Sequence, residues 1–479
     1  MNEKIIKTKH RFFTLSQFKE KIGIPLVLVK KLITLGIIES EKAVDGTIKI
    51  AASEIIKAEE FLKNPYRKTL LFIKTLGPGL ITGAADDDPG GIGTYSSVGA
   101  RFGFSILWMA PWLLPLTIAV QEVCARIGIV TNRGLTRVLE TYYNKKIVAI
   151  LVISLLIANI VNIGADIKAM VDSLRLLIDV NFTLLAFLLT LIIILAEIFI
   201  PYKNYVKILK LLTIFLFAYV ICGFIIRPSW LLVFKESIIP SISFNKDYLF
   251  AIIAVFGTTI SPYLFFWLTS EEVEEKKIKN NQSKNIRSMI GKMRTDVNTG
   301  MILAHLIFFF IILTCAQVLF KNGITNIETA EEAALALKPL AGEKAFLLFT
   351  LGIIGTGFLA IPVLAGSGAY AISELVRWRE GLEEKFSQAR GFYLIIIISI
   401  LLGLLINFIG VSPIKALYYS AFLNGVIAIP ILFVVMIVGN NKKIMGRETH
   451  PWWVKFFGWG ATLFASWSLI TLLILHFIK

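Results

Sequence analysis

Three consecutive carboxylates, Asp86, Asp87 and Asp88, stand directly before Pro89, Gly90 and Gly91 in the stretch GPGLITGAADDDPGGIGTYSSVGARFG. No Lys or Arg lies between Lys74 and Arg101, so the segment supplies no counter-cation of its own. A second stretch, GTTISPYLFFW, sets Thr258, Thr259 and Ser261 ahead of Pro262. If helices end at both places, free carbonyls near residues 84–86 and 255–258 join these side chains. Every donor is then oxygen, which suits Mg²⁺, Ca²⁺ or Mn²⁺ rather than a soft metal. Asp-Pro and Ser-Pro are also good helix starts, so capping of the following helix is the plainer role for Asp88 and Ser261. The two roles are compatible.

The elements that would position these groups are membrane spans. The chain is 56% hydrophobic and 17% charged, against about a quarter charged in ordinary soluble domains. Apolar runs at 147–163, 182–200, 301–320 and 393–409 are long enough for a helix to cross the hydrocarbon layer. About eleven spans are expected, near 69–101, 104–130, 146–176, 182–200, 206–226, 248–272, 299–320, 344–374, 391–409, 414–438 and 453–477. The first and sixth are interrupted at the two stretches quoted above, and each opens a block of five. Paired Gly/Pro breaks at matching positions of two halves point to an inverted-repeat transporter with its site at mid-membrane. A carboxylate there costs several kcal/mol without a partner, so a cation is the expected partner.

The net charge of +16 is spread over alternate connections (126–146, 203–210, 276–294, 377–390 and 442–455) rather than gathered in one patch. By the positive-inside rule these and the N-terminus face the cytoplasm, and an odd number of spans puts Lys479 outside. The charged first residues lack an apolar core, so no cleavable signal peptide is expected. Cys124, Cys222 and Cys315 all fall within apolar spans and read as buried thiols. Glu122 and Arg126 are spaced for an ion pair on one helix face. Glu271, Glu272, Glu274 and Glu275 read as a solvated helix end, with a cation-attracting vestibule as the sharper alternative. Trp108, Trp112, Trp452 and Trp453 read as interface anchors.

Residues 1–68 are a different material. Two short amphipathic helices with a turn near Gly23–Pro25 and a stop at Gly36, a hairpin-like stretch with Asp45-Gly46 and a helix over 53–62 are expected. The pattern resembles the helix-turn-helix domains of MerR-like and excisionase-like regulators. Residues 1–74 hold 15 Lys and Arg against 8 Asp and Glu. Anionic lipid explains that excess as well as DNA does, and a regulatory or partner-docking module is preferred to nucleic-acid binding.

From residue 69 to 479 the chain resembles the NRAMP family of divalent metal transporters, which implies a LeuT-like fold. GPGLITGAADDDPGG is similar to the family's first-helix DPGN region. QEVCARIGIVTNRGL and NIGADIKAM resemble its second- and third-span signatures, and FGTTISPYLFFW its sixth-helix motif. The resemblance carries the metal-binding Asp onto Asp88, its Asn onto Gly91, its Met onto Ser261, its backbone carbonyl onto Thr258 and its His onto Tyr263; Asp87 is an extra acid beside them. A soft sulfur and an amide oxygen are thereby lost and room is gained. That fits a largely hydrated Mg²⁺ and looks like the NRAMP-related magnesium branch, whose members also carry Mn²⁺. The proton relay is thinned as well. Asp166 is kept, Asn159 and Ala169 stand where relatives have Glu, and His305 in span 7 is a possible substitute or a structural residue.

The expectation is an all-α polytopic plasma-membrane protein with a 5+5 inverted repeat. It is not an enzyme, has no cofactor, and carries Mg²⁺ or Mn²⁺ through the lipid bilayer by alternating access without proton coupling. The alternative is a proton-coupled Mn²⁺/Fe²⁺ importer. An amino-acid carrier is disfavoured by the acids at the first break, and a membrane-tethered metal sensor would need the N-terminal domain to report on metal.

Overall fold

The computed structural model describes residues 12–23, 26, 29, 32–33, 38–42, 47–63, 77–200, 213–278, 286–410 and 412–477. Contacts divide the chain into two units, Met1–Leu76 and Gly77–Lys479.

In the first unit the helix Leu15–Ile22 starts at a capping box. Thr14 accepts from the Gln17 N–H at 3.4 Å and Gln17 accepts from the Thr14 N–H at 3.0 Å. Gly23, at φ 71°, ends it. The strand Ile48–Ala51 pairs antiparallel with Phe12–Thr14 on one side and Glu41–Lys42 on the other. Phe18, Val29, Leu32, Ile38, Ile50 and Ala58 form a hydrophobic centre of the unit's own. Sequence reading expected the last helix, observed as Glu54–Lys63, but not the strand Phe12–Thr14. Three residues are too few to show an alternating pattern, and a partner strand defines them. Pro25, Gly36 and Asp45-Gly46 lie outside the described residues, as do 69–76, 206–212 and 279–285 of the expected spans and connections.

Among the described residues the second unit is built of helices, with no strand. Span 1 comprises Pro78–Asp86 and Pro89–Phe102, and span 2 is Met109–Thr131. Spans 3 and 4 are Lys145–Arg175 and Phe182–Phe199; span 5 is described as Thr213–Leu216 and Phe217–Ile225. Span 6 comprises Lys246–Thr259 and Pro262–Ile278, and span 7 is Ile286–Val318. Spans 8 to 11 are Ala345–Val376, Arg390–Ile406, Pro413–Asn440 and Trp452–Phe477. Among the described residues eight segments are each long and apolar enough to cross a membrane. The other three expected spans are the broken span 1, the 17-residue span 9, and span 5, which turns by 119° into the helix Trp230–Ile238.

Spans 6 and 11 mark the extremes of burial. The apolar stretch of Lys246–Lys277 is 94% buried inside the protein and that of Trp452–Phe477 only 22%. A broken helix therefore sits where its free backbone groups meet protein rather than hydrocarbon. Trp112 and Trp452 are exposed. Trp108 is not: it is buried, and its indole N–H donates to the Tyr248 hydroxyl at 3.1 Å. A buried Trp needs such a partner, so Trp108 is a core residue rather than an anchor. The connection after span 7 also folds further than expected, into short helices headed by a Thr329–Glu332 capping box. There the Lys415 ammonium, 2.6 Å from Glu328, holds that carboxyl below its usual range.

Candidate metal site at two broken spans

The first half of span 1 stops because Asp88 precedes a proline, which disfavours helical backbone at Asp88 and brings no N–H of its own. Asp87 lies at φ −88°, ψ 44° and Asp88 at φ −66°, ψ 171°; Pro89 then restarts the helix. Asp88 Oδ1 accepts the Gly91 N–H at 2.5 Å, so the capping role is realised. Its other oxygen, Oδ2, faces the Tyr263 hydroxyl at 3.4 Å and the Asn162 amide at 3.5 Å. Asn162 was not among the residues expected at the site. It lies one helical turn before Asp166 on span 3, and that i,i+4 spacing is the signal that could have found it.

Span 6 breaks at Ile260–Ser261 in the same manner. The Ser261 hydroxyl lies 2.7 Å from the Gly257 carbonyl and 2.9 Å from that of Thr258, closing the free end of the helix Lys246–Thr259. The Thr258 carbonyl retains a second lone pair for an ion. Thr259 donates to the Val255 carbonyl at 2.7 Å and meets the Tyr95 hydroxyl at 3.1 Å. Tyr263, just past the break, donates to the Ala85 carbonyl at 3.0 Å. The two breaks are thus joined through Tyr95 with Thr259 and through Tyr263 with both Ala85 and Asp88.

Asp86, Asp87, Asp88 and Asp166 are all buried. Oδ1 of Asp86, Oδ1 of Asp87 and both oxygens of Asp166 have no hydrogen-bond partner among the described residues. Bare buried carboxylate oxygens are costly, and a cation or a proton removes the cost. Among the described residues no three His, Cys, Asp or Glu side chains converge as a metal cluster. Less space is left at Gly91 than its lack of a side chain suggests. A Cβ there would lie 3.0 Å from the Asp86 carbonyl oxygen and 3.3 Å from the Tyr95 ring.

The proposed proton substitute does not join the site. His305 is buried with Nδ1 3.0 Å from the Met301 carbonyl and Nε2 3.4 Å from the Thr117 hydroxyl, so both ring nitrogens are engaged between spans 2 and 7. The Glu122–Arg126 pair forms, and Arg294 adds bonds of 2.9 and 2.7 Å to the same carboxylate.

The acids at the end of span 6 are not a solvated helix end: Glu271, Glu272 and Glu274 are buried. The reason is Tyr370 of span 8, whose hydroxyl lies 2.6 Å from Glu274 and 3.2 Å from Glu271, while the Leu382 N–H donates to Glu274 at 3.2 Å. Beside them Glu374 accepts from Ser270 at 3.1 Å and from the Arg137 N–H at 2.9 Å. Burial and the neighbouring Glu374 push the carboxyl of Glu380, in the connection after span 8, up to about 8. An open cleft of about 480 Å³, lined by Arg101, Phe102, Ser105, Ser241, Asn245 and Phe320, lies at the far end of span 1, away from Asp88.

Residues 79–475 match the family model described as natural resistance-associated macrophage protein-like. A divalent metal cation transporter MntH of Caldanaerobacter subterraneus subsp. tengcongensis is 27% identical over 380 residues, covering 78% of this chain and 86% of that protein. A transporter of the same description from Klebsiella pneumoniae is 23% identical over 391 residues, covering 80% and 90%. Among solved structures, the Eremococcus coleocola manganese transporter bound to an aromatic bis-isothiourea compound superposes with a TM-score of 0.68 at 20% identity, covering 83% of this chain and 85% of that one. MHP1, a nucleobase-cation-symport-1 family transporter in a closed conformation, gives 0.53 at 15% identity, covering 83% and 92%. The fold is LeuT-like.

Proposed function

The chain belongs to the natural resistance-associated macrophage protein-like family of divalent metal transporters, and on that premise we propose that its cargo is Mg²⁺, and Mn²⁺ as well. The ion is carried largely hydrated, by alternating access and without a coupled proton. Asp88 is the principal ligand, Asp87 the auxiliary acid and the Thr258 carbonyl the backbone donor. Gly91, Ser261 and Tyr263 shape the remaining first layer through water.

The observation that carries this reading is the Ser261 hydroxyl, spent on the Gly257 and Thr258 carbonyls at 2.7 and 2.9 Å. No sulfur stands at the break, and the softer late metals lose the donor that favours them over Mg²⁺. Mg²⁺ keeps several waters and needs few direct protein ligands, in keeping with carboxylates that do not converge in threes among the described residues. The reading without a coupled proton is supported by Tyr263 at the expected histidine position and by His305 being engaged at both ring nitrogens.

The test is uptake of Mg²⁺ and of Mn²⁺ into proteoliposomes with internal pH recorded together. Uptake of both ions, mutually competitive and without acidification, is expected. One observation favours the second reading, a proton-coupled Mn²⁺/Fe²⁺ importer: both oxygens of the buried Asp166 are bare and could hold a proton. Acidification tracking Mn²⁺ uptake, with no Mg²⁺ uptake, would establish it. We place the protein in the plasma membrane with its N-terminus in the cytoplasm and Lys479 outside, and residues 1–68 as a cytoplasmic regulatory or docking module. Protease protection in oriented vesicles tests the orientation.

A further inference from the structure

We infer that the first half of span 1, Pro78–Asp86, is pinned to span 7 by Asp296, so that the two travel as one body when the site changes the side to which it opens. This rests on the transport reading above.

The half-helix has no cap of its own. Gly77 has no side chain and Pro78 no N–H. Its free donors are the N–H groups of Gly77, Gly79 and Leu80, because Ile81 already bonds the Gly77 carbonyl at 3.3 Å. All three go to one carboxylate on another span. Asp296 Oδ1 accepts from Gly77 at 2.8 Å and Leu80 at 3.2 Å, and Oδ2 accepts from Gly79 at 2.8 Å. The buried anion also lies at the positive end of the helix.

Behind this cap the two helices touch backbone to backbone. A Cβ on Gly79 would fall 2.6 Å from the Val297 nitrogen, and Gly83 is packed in the same way on Gly300. Small residues at such a seam permit close packing within a membrane.

The hydrogen bond to span 6 at the opposite end of the half-helix is weaker in kind: one tyrosine hydroxyl, Tyr263, on the Ala85 carbonyl across the break. At the pinned end Glu275 of span 6 stands beside Gly77 and the acid Asp296. Hydrogen bonds to an ionised acceptor are roughly twice as strong as neutral ones, and Asp296 makes three. When the first half of span 1 separates from a neighbour, it separates from span 6 and stays with span 7.

The experiment uses the full chain in nanodiscs with paired spin labels. Cys124, Cys222 and Cys315 are buried, which leaves introduced cysteines as the labelling sites. One pair, Ile81→Cys with Thr295→Cys, spans the pin; the other, Ile81→Cys with Lys277→Cys, reaches from the same half-helix to the second half of span 6. The expected result is a narrow distance distribution for the first pair, moving by no more than about 2 Å when Mg²⁺ is added, and a broader one for the second. Asp296→Ala should add a longer population to the first pair, and Asp296→Asn a smaller one. Unchanged distributions in both variants would overturn the pin. If neither variant folds, a first-pair distribution in the otherwise native chain as broad as the second overturns it. Uptake is measured on the same label pairs, so loss of the transport reading shows as absent uptake with the distances still informative.

Discussion

The hydroxyl of Tyr263 stands 3.0 Å from the carbonyl oxygen of Ala85 and thereby ties the second half of span 6 to the first half of span 1. The same oxygen is 3.4 Å from Asp88, so the tie reaches the proposed principal metal ligand. Tyr263→Phe removes one buried hydrogen bond, worth about 0.5–1.5 kcal/mol. Maximal uptake should change several-fold, with a smaller change in the concentration for half-maximal uptake. Internal pH should stay flat in this variant as in the native chain. A selective loss of a proton signal on Tyr263→Phe would instead make the hydroxyl a relay.

Asp88→Asn should abolish uptake while the protein still folds, since an Asn at this position can still cap the Gly91 N–H. Asp87→Asn should reduce uptake less and Asp86→Asn least. Uptake in proteoliposomes, beside the thermal stability of each variant, separates ligand from cap. Native-like uptake by Asp88→Asn would leave capping as its only role.

Ser261→Met should move competition toward Mn²⁺ and away from Mg²⁺. It also removes the hydroxyl that satisfies the Gly257 and Thr258 carbonyls, at a cost of about 1–3 kcal/mol in stability if no water replaces it. Adding Gly91→Asn should strengthen the shift and lower stability again, because the new Cβ meets the Asp86 carbonyl at 3.0 Å. Mg²⁺ inhibition of Mn²⁺ uptake, measured on the folded fraction, is the readout. Unchanged inhibition in both variants counts against the site.

His305→Ala should leave the ratio of protons to metal as it is in the native chain, because the imidazole is engaged by Met301 and Thr117 rather than by the site. Asp166→Asn is the informative partner. Should the native chain acidify vesicles during Mn²⁺ uptake, the acidification should vanish in Asp166→Asn and survive in His305→Ala.

His450 gives a pH prediction for stability. It lies in the connection between spans 10 and 11, buried, with neither ring nitrogen hydrogen-bonded among the described residues. Burial first, and then the nearby charges of Arg126 and Lys455, push its pKa down from 6.5 to about 3. The unfolded chain therefore binds a proton that the folded chain refuses across that interval. The stability due to neutral His450 is complete above pH 6.5 and drains away as pH falls toward 3. His450→Gln should flatten the fall in Tm between pH 7 and 4 relative to the native chain. Parallel Tm profiles would mean that the group is hydrated and titrates normally.

The breaks were readable because proline and glycine act locally: Asp88-Pro89 and Ser261-Pro262 announce a restart whatever surrounds them. The burial of the thiols followed equally well from the apolar runs that hold Cys124, Cys222 and Cys315. What escaped the sequence depends on distant partners. Asp296 acts on Gly77 and Gly79, more than two hundred residues earlier, and no periodicity carries that information. Glu271 and Glu274 read as a solvated end because four acids meet two lysines there, yet Tyr370 from span 8 covers them. Trp108 reads as an anchor for the same reason, its indole partner being Tyr248, 140 residues on.

On the proposed reading without a coupled proton, the carboxylates of the first break, with no basic side chain from residue 75 to residue 100, make voltage part of the energetics of transport. A divalent ion moved without a counter-proton takes two charges through the field, worth about 4.6 kcal/mol at a potential of roughly 100 mV, since each charge is worth about 2.3 kcal/mol. An inward-negative cell could thus concentrate the ion by about three decades with no chemical fuel. Over a full cycle two positive charges cross the field whatever charge the site itself carries, so depolarising the vesicle should slow uptake even when the ion gradient is unchanged.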